Sequence, residues 1–462
     1  MRFLYRFKQT VLLTGDVLSL FIALWLSLLI RNLEIPTIEK WLTHIPLFSI
    51  IFLIWILNNY INGLYDLIKI SQKQKFYRRF VETSILSLIV GVFFFYLINN
   101  TSIAPKTILL LNISLGYGLS FLWRSVFRKF SGLKKLQTNV LLVGYTPEIK
   151  ELLEIFNKYP EKGYTISALI EPNKMVKASD FPFDVYYNLH TIRPAITNHN
   201  VQIVVISPSL KNDPEAMREF YELLFWKVQI NDLSSFYEIV TGRIPPFTFS
   251  EGWFLQHLRH HENTIYEKFK IITDFLGAFT IFLVFICLFP FIALGIKLTS
   301  KGPIFFKQKR IGRFGKHFMI YKFRSMYALS NDGSAETEGA TFAKKDDKRI
   351  TSFGKFLRKT RLDELPQALN MLKGEIGLVG PRPERPEICK TLEERMPYYS
   401  LRHVVKPGLT GWAVINQNYT DTMESSLQKL QYDLFYIKNR SMLLDISIIL
   451  KTVNLLIRFM GQ

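Results

Sequence analysis

Cysteine is almost absent from this sequence, since Cys287 and Cys389 are the only two in 462 residues. Two cysteines without metal-ligand spacing exclude a disulfide framework and a zinc site. No nucleic-acid recognition motif is present, so nucleic acid is not an expected partner. The first apolar run is too long for a cleaved signal peptide and lacks a small-residue cleavage site, so we expect the protein to retain it.

Acidic residues are also few, because 58 Lys and Arg outnumber 38 Asp and Glu and give a formal charge of +20. Hydrophobic residues make up 48% of the chain, and the basic residues lie mainly beside apolar runs. This pattern favours a membrane protein facing anionic lipid, or a site for anionic substrates, over a DNA-binding domain. The length allows two or three domains.

Residues 1–136 contain four apolar runs, each near the ~20 residues that cross a bilayer as a helix. These runs are Val11–Ile30, Pro46–Ile61, Phe80–Ile98 and Thr107–Trp123. Basic residues cluster before the first run, between the second and third, and after the fourth. The positive-inside rule therefore places both ends of a predicted four-helix transmembrane domain in the cytoplasm. A soluble domain with buried helices is the alternative. Asp16, inside the first run, is expected to have a polar partner, or else a functional role.

The next segment, residues 137–250, lacks the glycines of a dinucleotide-binding fingerprint. Strands and helices are predicted in alternation. The predicted strands are Asn139–Val143, Tyr164–Ile170 and Val201–Ser207, and the predicted helices are one that begins near Pro147 and Glu215–Trp226. This alternation predicts a Rossmann-like parallel sheet. Gly144 follows the first strand, but Tyr-Thr-Pro stands where the second and third glycines would begin. No nucleotide cofactor is therefore assigned, and a structural or regulatory domain is expected.

A fifth apolar run, residues 265–299, is interrupted by Pro290. Lysines stand on both sides of this run, so both flanks are expected in the cytoplasm. A spanning helix would also carry the rest of the chain away from cytosolic nucleotides. Because proline removes one helix hydrogen bond, we predict a re-entrant helix, broken at Pro290, that enters and leaves one leaflet. An ordinary kinked transmembrane helix is the alternative.

The third domain, residues 251–462, is organised around the stretch Lys355–Glu387, which combines basic side chains, two adjacent carboxylates and a Gly-Pro-Arg-Pro turn. Proline suits the first turn of a helix, and glycine suits a C-terminal cap. We therefore predict a helix over Pro366–Lys373, closed by Gly374. The residue before a proline is disfavoured in the helical region, so Leu365 is expected outside it.

This prediction places Asp363 and Glu364 at a helix N-terminus, where free N–H groups and the helix dipole favour an anion. Adjacent carboxylates do not share a helix face, so one can attack or bind a proton while the other holds a metal. Arg358 and Arg361 carry forked donors that match phosphate oxygens. The alternative is a solvated helix start with salt bridges.

Further candidates in this domain are less specific. Lys322, Arg324 and Lys309 are candidates for phosphate contact, with packed or solvated basic residues as the alternative, and Arg385 is a weaker candidate. Tyr432–Val453 resembles an amphipathic helix pair that lies on a membrane surface. Packing in the protein core is the alternative for that segment.

From Thr264 onward the chain resembles the bacterial polyprenyl-phosphate sugar-1-phosphate transferases, the monotopic phosphoglycosyl transferases. The matching segments, in the order of that family, are GPIFFKQKRIG, YKFRSM, DDKRITSFGKFLRKTRLDELPQALNMLKGEIGLVGPRPE, KPGLTGWAVIN and YDLFYIKNRSMLLDISIILKTV. The whole chain is similar to the large form of the family, in which four transmembrane helices and a Rossmann-like domain precede the catalytic domain. The resemblance is specific only in this last part.

The resemblance implies transfer of a sugar 1-phosphate from a UDP-sugar to undecaprenyl phosphate, with release of UMP. This would be the first membrane step of exopolysaccharide, capsule or O-antigen synthesis, on the cytoplasmic face of the bacterial inner membrane. The family's Asp-Glu dyad matches Asp363 and Glu364. By carry-over, Asp363 attacks the phosphate and forms a covalent phosphosugar intermediate, and Glu364 assists a metal or a proton transfer. Mg²⁺, held at the dyad, is the implied cofactor.

The resemblance also assigns phosphate-binding arginines to Arg358 and Arg382, and the break of the re-entrant helix to Pro290. The chain departs from the family at Gly377, where Ser is frequent, and at 413–417, which leaves the sugar open. UDP-glucose or UDP-galactose is expected, with an N-acetylated amino sugar as runner-up. A homodimer is expected by resemblance alone.

Two other functions compete with this reading. A membrane-anchored nucleotide-sugar dehydratase also combines four helices with a Rossmann domain, but it requires the glycine fingerprint that is missing here. A non-catalytic scaffold that recruits glycosyltransferases would not need the intact dyad or the Gly-Pro-Arg-Pro turn.

Overall fold

The computed structural model describes residues 2–66, 73–97, 105–131, 137–257, 264–335, 347, 349–396, 398–417 and 422–457. The chain forms two compact units, residues 1–241 and 242–462. The second unit includes the segment that leads to residue 250. In that segment, Trp412 Nε1 donates to the Gly242 carbonyl at 2.8 Å. The Ile244 N–H also donates to the Gln431 carbonyl at 3.2 Å.

The first unit begins with four long helices. They are α1 (Arg2–Asn32), α2 (Ile38–Ile61), α3 (Lys73–Leu97) and α4 (Pro105–Ser131). Aromatic side chains fill the bundle core, where the Phe52 ring lies 5.9 Å from Phe48 and 5.7 Å from Trp55. Large apolar side chains such as Leu18 and Leu53 also face outward. Helices that are apolar on both faces are typical of membrane spans.

Among the described residues, four helical segments are long and apolar enough to cross a membrane: Phe7–Asn32, Ile38–Ile61, Phe76–Leu97 and Ile265–Thr299. The predicted span within α4 is helical but is not among them. Polar residues such as Asn112 and Arg124 lower the hydropathy of this helix. Both side chains are buried in the bundle. Asn112 Nδ2 donates to the Leu20 carbonyl at 3.2 Å. The chain is therefore a membrane protein whose N-terminal bundle includes one less apolar helix.

Asp16 has the polar partner that the sequence predicts. Its carboxylate forms a buried ion pair with Arg124 on α4 and accepts from Ser120 Oγ at 2.7 Å. Arg124 Nη1 also donates to the Leu64 carbonyl at 2.5 Å. A buried ion pair persists only when further hydrogen bonds satisfy its charges, and these contacts do so. The network ties α1, α4 and the end of α2 together.

A five-stranded parallel sheet follows the bundle, with strand order β3-β2-β1-β4-β5. Its elements are β1 (Thr138–Val143), α5 (Glu148–Lys158), β2 (Tyr164–Ile170), β3 (Asp184–Tyr186), α6 (Ile192–Asn198), β4 (Ile203–Ile206), α7 (Pro214–Glu222), β5 (Gln229–Asp232) and α8 (Leu233–Thr241). Buried aliphatic residues of β1, β2 and β4 form the centre of the sheet. Strands β3 and β5 were not predicted from the sequence. Both are short, their side chains are only partly buried or exposed, and neither contains an apolar run.

The loop after β1 is closed by groups of the protein itself. Gly144 has a φ of +85°, and a Cβ there would lie 2.7 Å from Ser207 Cβ. The carboxylate of Glu171, at the end of β2, accepts from the Tyr145 N–H at 2.5 Å and from the Asn173 N–H at 3.0 Å. Glu171 is nearly fully buried. Its two oxygens are therefore used to fix the loops at this edge of the sheet.

The second unit combines helices with two small sheets. Its helices are α9 (Glu251–His257), α10 (Thr264–Thr299), α11 (Ser352–Thr360), α12 (Gln367–Leu372), α13 (Pro386–Arg395), α14 (Trp412–Asn416), α15 (Met423–Asn439) and α16 (Met442–Ile457). Its strands are β6 (Phe305–Ile311), β7 (His317–Phe323), β8 (Gly377–Val379) and β9 (Gly408–Thr410). Strands β6 and β7 form an antiparallel hairpin, and β8 pairs with β9 in parallel.

The long apolar helix α10 is continuous through Pro290, so the break that the sequence predicts there is wrong. Proline removes a single N–H donor, and the remaining helix hydrogen bonds are enough to continue the helix on both sides. One face of α10 packs on its own unit along its length, through Ala278 against Ile320 and through Ile296 against Leu357. The opposite face is exposed, as at Phe291.

The predicted pair at Tyr432–Val453 consists of the end of α15 and most of α16. Core packing holds for α15, whose Leu434 is fully buried. Helix α16 has a mixed character, because Ile448 is buried whereas Leu443 is 80% exposed. Core packing therefore describes α15, whereas α16 keeps the exposed apolar residues that the amphipathic reading expects.

Candidate active site

The two adjacent carboxylates lie in a tight turn between helices α11 and α12. Arg361 adopts a left-handed conformation (φ 57°) that ends α11, and a 3₁₀ turn over Leu362–Glu364 follows. Leu365 is helical (φ −53°, ψ −38°), so its predicted place outside the helical region is wrong. Its N–H donates to the Leu362 carbonyl at 3.2 Å, and this turn carries the chain through Pro366 directly into α12.

Glu364 is the carboxylate that cations neutralise. Its Oε1 lies 2.5 Å from Arg382 Nη2 and 3.2 Å from Lys322 Nζ. Burial opposes ionisation, but the charges of Arg382 and Lys322 outweigh it and hold the pKa of Glu364 well below its usual range. The same contact raises the pKa of Arg382. Glu364 is therefore an anion that bridges two cations.

Asp363 has the opposite electrostatic character. Its side chain is buried, with 7% of its surface exposed. Burial and the charge of Glu364 raise the pKa of Asp363 above its usual range, although Lys322, Arg358 and Arg382 act against this shift. Neighbouring carboxyls whose pKa values are pushed apart take different chemical tasks. Asp363 is the desolvated carboxyl of this pair, and Glu364 is its ion-paired neighbour.

Asn370 fixes the strand that carries Lys322. Its Nδ2 donates to the Met319 carbonyl at 2.7 Å, and its Oδ1 accepts from the Tyr321 N–H at 3.1 Å. Nδ2 also lies 2.7 Å from Glu375 Oε2. Asn370 is fully buried on α12, six residues after Glu364. Local sequence rules offer no signal for this role, because the backbone partners of Asn370 on β7 lie about fifty positions away.

Arg382 stands in a turn whose backbone is bound on both sides. The Gly380 N–H donates to Thr410 at 2.9 Å, and the Gly408 N–H donates to the Pro381 carbonyl at 3.0 Å. A Cβ on Gly380 would lie 2.4 Å from the Lys406 carbonyl oxygen, so only glycine fits this close approach. The pairing of β8 with β9 thus places the arginine opposite Glu364.

Arg358 and Arg361 lie on the approach to the dyad. Both are half-buried, and neither has a carboxylate within ion-pair distance among the described residues. The charge of Arg358 opposes the rise in the pKa of Asp363, and the charge of Arg361 lowers the pKa of Glu364. Both guanidinium groups therefore contribute to the electrostatic potential at the dyad. The phosphate contact that the sequence predicts for these two guanidinium groups stays a prediction.

Arg324, Lys309 and Arg385 are used elsewhere. Arg324 is buried and donates to the Ser300 and Lys301 carbonyls, each at 2.7 Å, so it holds the chain after α10 instead of a phosphate. Lys309 is exposed and pairs with Met319, which places it on the opposite face of the β6–β7 hairpin from Lys322. Arg385 Nε lies 3.4 Å from Glu387.

The donor set fits a magnesium ion that is shared with a substrate. Mg²⁺ prefers oxygen ligands and is commonly held by one or two carboxylates together with substrate phosphates and water. Asp363 and Glu364 supply such carboxylates, and the described residues contain no group of three or more acidic, His or Cys side chains that would form a complete metal site. The dyad would then be the protein's share of the coordination, which stays a prediction.

Comparison with known proteins identifies relatives of the second unit. The family model described as bacterial sugar transferase matches residues 265–459. The chain is 38% identical over 232 residues to the UDP-N-acetylgalactosamine-undecaprenyl-phosphate N-acetylgalactosaminephosphotransferase of Aeromonas hydrophila, which covers 48% of this chain and 51% of that protein. It is 44% identical over 164 residues to the UDP-glucose:undecaprenyl-phosphate glucose-1-phosphate transferase of Escherichia coli (strain K12), covering 35% and 34%.

A shorter relative is covered almost completely. The exopolysaccharide production protein PSS of Rhizobium leguminosarum bv. phaseoli is 39% identical over 174 residues, which are 35% of this chain and 82% of that protein. In contrast, the chain spans about half the length of the Aeromonas relative and about a third of the Escherichia relative. The matched part includes the dyad, Lys322 and Arg382.

Proposed function

The chain belongs to the bacterial sugar transferase family, and we propose that it transfers a sugar 1-phosphate from a UDP-sugar to undecaprenyl phosphate and releases UMP. The observation that carries this proposal is the paired chemistry of the dyad. Glu364 is held as an anion between Arg382 and Lys322, whereas Asp363 is buried with a raised pKa. A desolvated carboxylate is a stronger nucleophile than a hydrated one, and the surrounding cations compensate the charge of an incoming diphosphate.

The reaction proceeds in two displacements. A carboxylate oxygen of Asp363 attacks the phosphorus that bears the sugar, and the bond from that phosphorus to the bridging oxygen breaks, so that UMP leaves with the electron pair. An oxygen of undecaprenyl phosphate then attacks the same phosphorus and releases the Asp363 carboxylate. No oxidant or water is consumed. Splitting one transfer into two steps is the usual advantage of covalent catalysis.

The cations of the site have separate tasks in these steps. Arg358 and Arg361 are placed to bind the diphosphate, because their charges reach the dyad and no described carboxylate neutralises them. Arg382 and Lys322 hold Glu364 and stabilise negative charge that develops on the phosphoryl oxygens. Their combined charge explains how the dianionic diphosphate of a UDP-sugar approaches two carboxylates.

Magnesium is the proposed cofactor, held by Asp363 and Glu364. A bound divalent ion would offset the charge of the diphosphate and of the departing UMP. The chain's own residues would orient it: Lys322 and Arg382 restrict Glu364 to one rotamer by binding Oε1.

The membrane arrangement is part of the proposal. Helix α10 stays on the cytoplasmic side of the inner membrane, and its exposed apolar face enters one leaflet without crossing the bilayer. Two observations support this: lysines flank both ends, and the helix packs on its own unit from Lys270, 3.1 Å from Asp445, to Ile296. A helix that crossed the bilayer would meet a cytoplasmic domain at one end only.

Glucose is the proposed sugar, with galactose as a related donor and an N-acetylated amino sugar as the second candidate. Relatives named for a glucose donor and for an N-acetylgalactosamine donor both match this chain.

The parallel sheet of the first unit is proposed as a Rossmann-like domain without a nucleotide, because Glu171 and Gly144 are committed to closing its loops. A homodimer is proposed on family resemblance alone.

The decisive experiment measures UMP release from a panel of UDP-sugars by purified protein with magnesium and undecaprenyl phosphate. We expect release with one sugar, and trapping of a phosphosugar on Asp363 when the lipid is omitted. Asp363→Asn should abolish both signals. Release that persists in Asp363→Asn would overturn the nucleophile, and an absence of release with every sugar would favour a scaffold.

A labelling experiment tests the membrane arrangement. With Cys287 and Cys389 replaced by Ser, single cysteines are placed at two exposed positions, Lys268 in the first turns of α10 and Lys301 just after its end. In spheroplasts, a membrane-impermeant maleimide should label neither position until the cells are opened. Labelling of one flank from outside would show that α10 crosses the membrane.

A further inference from the structure

A buried cluster of charges lies directly beneath the turn that carries Arg382. Arg402 and Asp433 are 1% exposed each, although neither belongs to the dyad or its cations. Arg402 comes from the 3₁₀ helix Tyr399–Val404, and Asp433 comes from α15. Burying such charges is unfavourable unless each has a partner, so the cluster requires an explanation.

The guanidinium of Arg402 connects this cluster to the turn. Its Nη2 donates to the Arg382 carbonyl at 2.9 Å and lies 2.8 Å from Asp433 Oδ2. Its Nη1 donates to Tyr399 Oη at 2.5 Å, and its Cζ lies 5.0 Å from the centre of that ring. Only a planar fork reaches a carbonyl, a carboxylate and a phenol together, so lysine does not replace it.

Neighbouring contacts hold the next residues of the turn in the same way. Arg310 Nη1 donates to the Pro383 carbonyl at 3.1 Å and lies 3.6 Å from Glu384 Oε2. Lys429 pairs with the same carboxylate from α15. Consecutive backbone carbonyls, those of Arg382 and Pro383, are therefore each bound by a buried guanidinium.

We propose that Arg402, anchored by Asp433, is a positioning residue for Arg382, which it holds through the backbone so that the Arg382 side chain meets Glu364. This inference rests on the proposed function. The side chain of Arg382 is long, but its Cα is fixed by the carbonyl contact, and its Nη2 reaches Glu364 at 2.5 Å. A displacement of about 1 Å from productive geometry can cost on the order of a hundredfold in rate.

The test is a double-mutant cycle of Arg402→Lys and Arg382→Met, measured as UMP release at varied UDP-sugar concentration. We expect Arg402→Lys alone to lower kcat by roughly tenfold to a hundredfold with a smaller change in KM. In the Arg382→Met background the same change should lower kcat by less than about threefold, because residues that act through one another are not additive. An equal loss of kcat in both backgrounds would overturn the positioning role.

Arg440→Lys is the matched control. Arg440 is also a largely buried arginine of this unit, 3.1 Å from Glu267 and 5.8 Å from the Tyr266 ring. Arg440→Lys removes the same forked donor group, but Glu267 and Tyr266 lie outside the turn that carries Arg382. The effect of Arg440→Lys on kcat should therefore be equal in both Arg382 backgrounds. Asp433→Asn provides a second variant that keeps a hydrogen-bond acceptor beside Arg402 if Arg402→Lys does not fold.

UDP affinity, measured by calorimetry on the same proteins, separates this inference from the proposed function. If the unmodified protein releases no UMP, the proposed reaction fails. The positioning role still stands in that case if Arg402→Lys weakens UDP binding only when Arg382 is present. If UMP is released and both rate and affinity losses are additive, the reaction stands and the positioning role fails.

Discussion

Arg382 and Glu364 form a short, partly buried ion pair, 2.5 Å from Nη2 to Oε1, which joins the Gly-Pro-Arg-Pro turn to the start of α12. The pair favours ionisation of Glu364 at a lower pH than Asp363. Because Glu364 is stabilised as an anion by Arg382 and by Lys322, its charge and the burial of the site oppose ionisation of Asp363. The two adjacent carboxyls thus differ through their partners and not through their position in the chain.

The first prediction concerns this ion pair. Arg382→Lys keeps the charge but loses the forked donors that match a carboxylate and a phosphate. Removal of one preorganised donor from a site where negative charge develops typically costs about 10²–10³ in rate. We expect a fall of about a hundredfold in kcat for UMP release, measured with saturating UDP-sugar.

Arg385→Lys is the control for that experiment, because Arg385 stands on the same turn but lies 3.4 Å from the exposed Glu387. Its rate should stay within about threefold of the unmodified enzyme, since exposed ion pairs contribute little. Equal losses for the two variants would show that the turn as a whole, and not the Arg382 fork, supports the reaction.

The second prediction concerns Asn370, which joins α12 to the strand that carries Lys322. Asn370→Ala leaves the buried Met319 carbonyl and Tyr321 N–H without their side-chain partners. A buried polar group that loses its partner costs about 1–3 kcal/mol. We expect a lower unfolding temperature together with reduced UMP release.

Lys322→Met separates the two effects of Asn370→Ala. If Asn370 supports the reaction by fixing the strand of Lys322, the loss of rate in Asn370→Ala should largely disappear in a Lys322→Met background, while the loss of thermal stability remains. A loss of rate that is unchanged in that background would leave Asn370 with a role in stability alone.

Local sequence rules predicted the parts of the fold that depend on neighbouring residues. The bounds of β2 and the apolar run of α10 agree with the sequence, because an apolar run or alternation is visible within a short window. The position of Asp363 and Glu364 just before a short helix was also predicted, since Pro366 and Gly374 mark that helix.

Contacts between distant residues were beyond these rules. Arg402, Asp433 and Asn370 are ordinary polar residues in the sequence, and their tasks depend on backbone groups brought near by folding. Arg324 was a candidate for phosphate contact, but its donors bind the Ser300 and Lys301 carbonyls, as the alternative of a packed residue expects. At Leu365 the preference before proline yielded to the hydrogen bonds of the surrounding turn.

The third prediction concerns acid stability. Burial would raise the pKa of Glu384, but Lys429, Arg402 and Arg310 outweigh it and lower the pKa from 4.5 to about 2. A group whose folded pKa is lowered stabilises the fold fully above its unfolded pKa and loses that contribution as the pH falls. We expect thermal stability to decline between about pH 4.5 and pH 2, by on the order of 3 kcal/mol from this group.

Glu384→Gln should lower stability at neutral pH and remove this part of the acid dependence, when the unfolding temperature is followed in detergent across that range. Glu387→Gln is the matched control, because its carboxylate is 61% exposed and two positions away from Arg385. An unchanged slope in Glu384→Gln would assign the acid dependence to other carboxylates.

The last prediction concerns Gly377, where the resemblance leads one to expect Ser. A Cβ at Gly377 would lie 2.5 Å from Asp274 Oδ2, and Asp274 is held in place because its Oδ1 accepts from the Leu378 N–H at 2.9 Å. We expect Gly377→Ser to cost about 1–3 kcal/mol of stability, as forced overpacking does. The cost should shrink by at least about 0.5 kcal/mol in an Asp274→Ala background, because the crowded carboxylate is gone. Gly118→Ser, where a Cβ would meet nothing within 4 Å, controls for adding a serine. If Gly377→Ser costs the same in both backgrounds, crowding by Asp274 is not the reason that this chain carries glycine here.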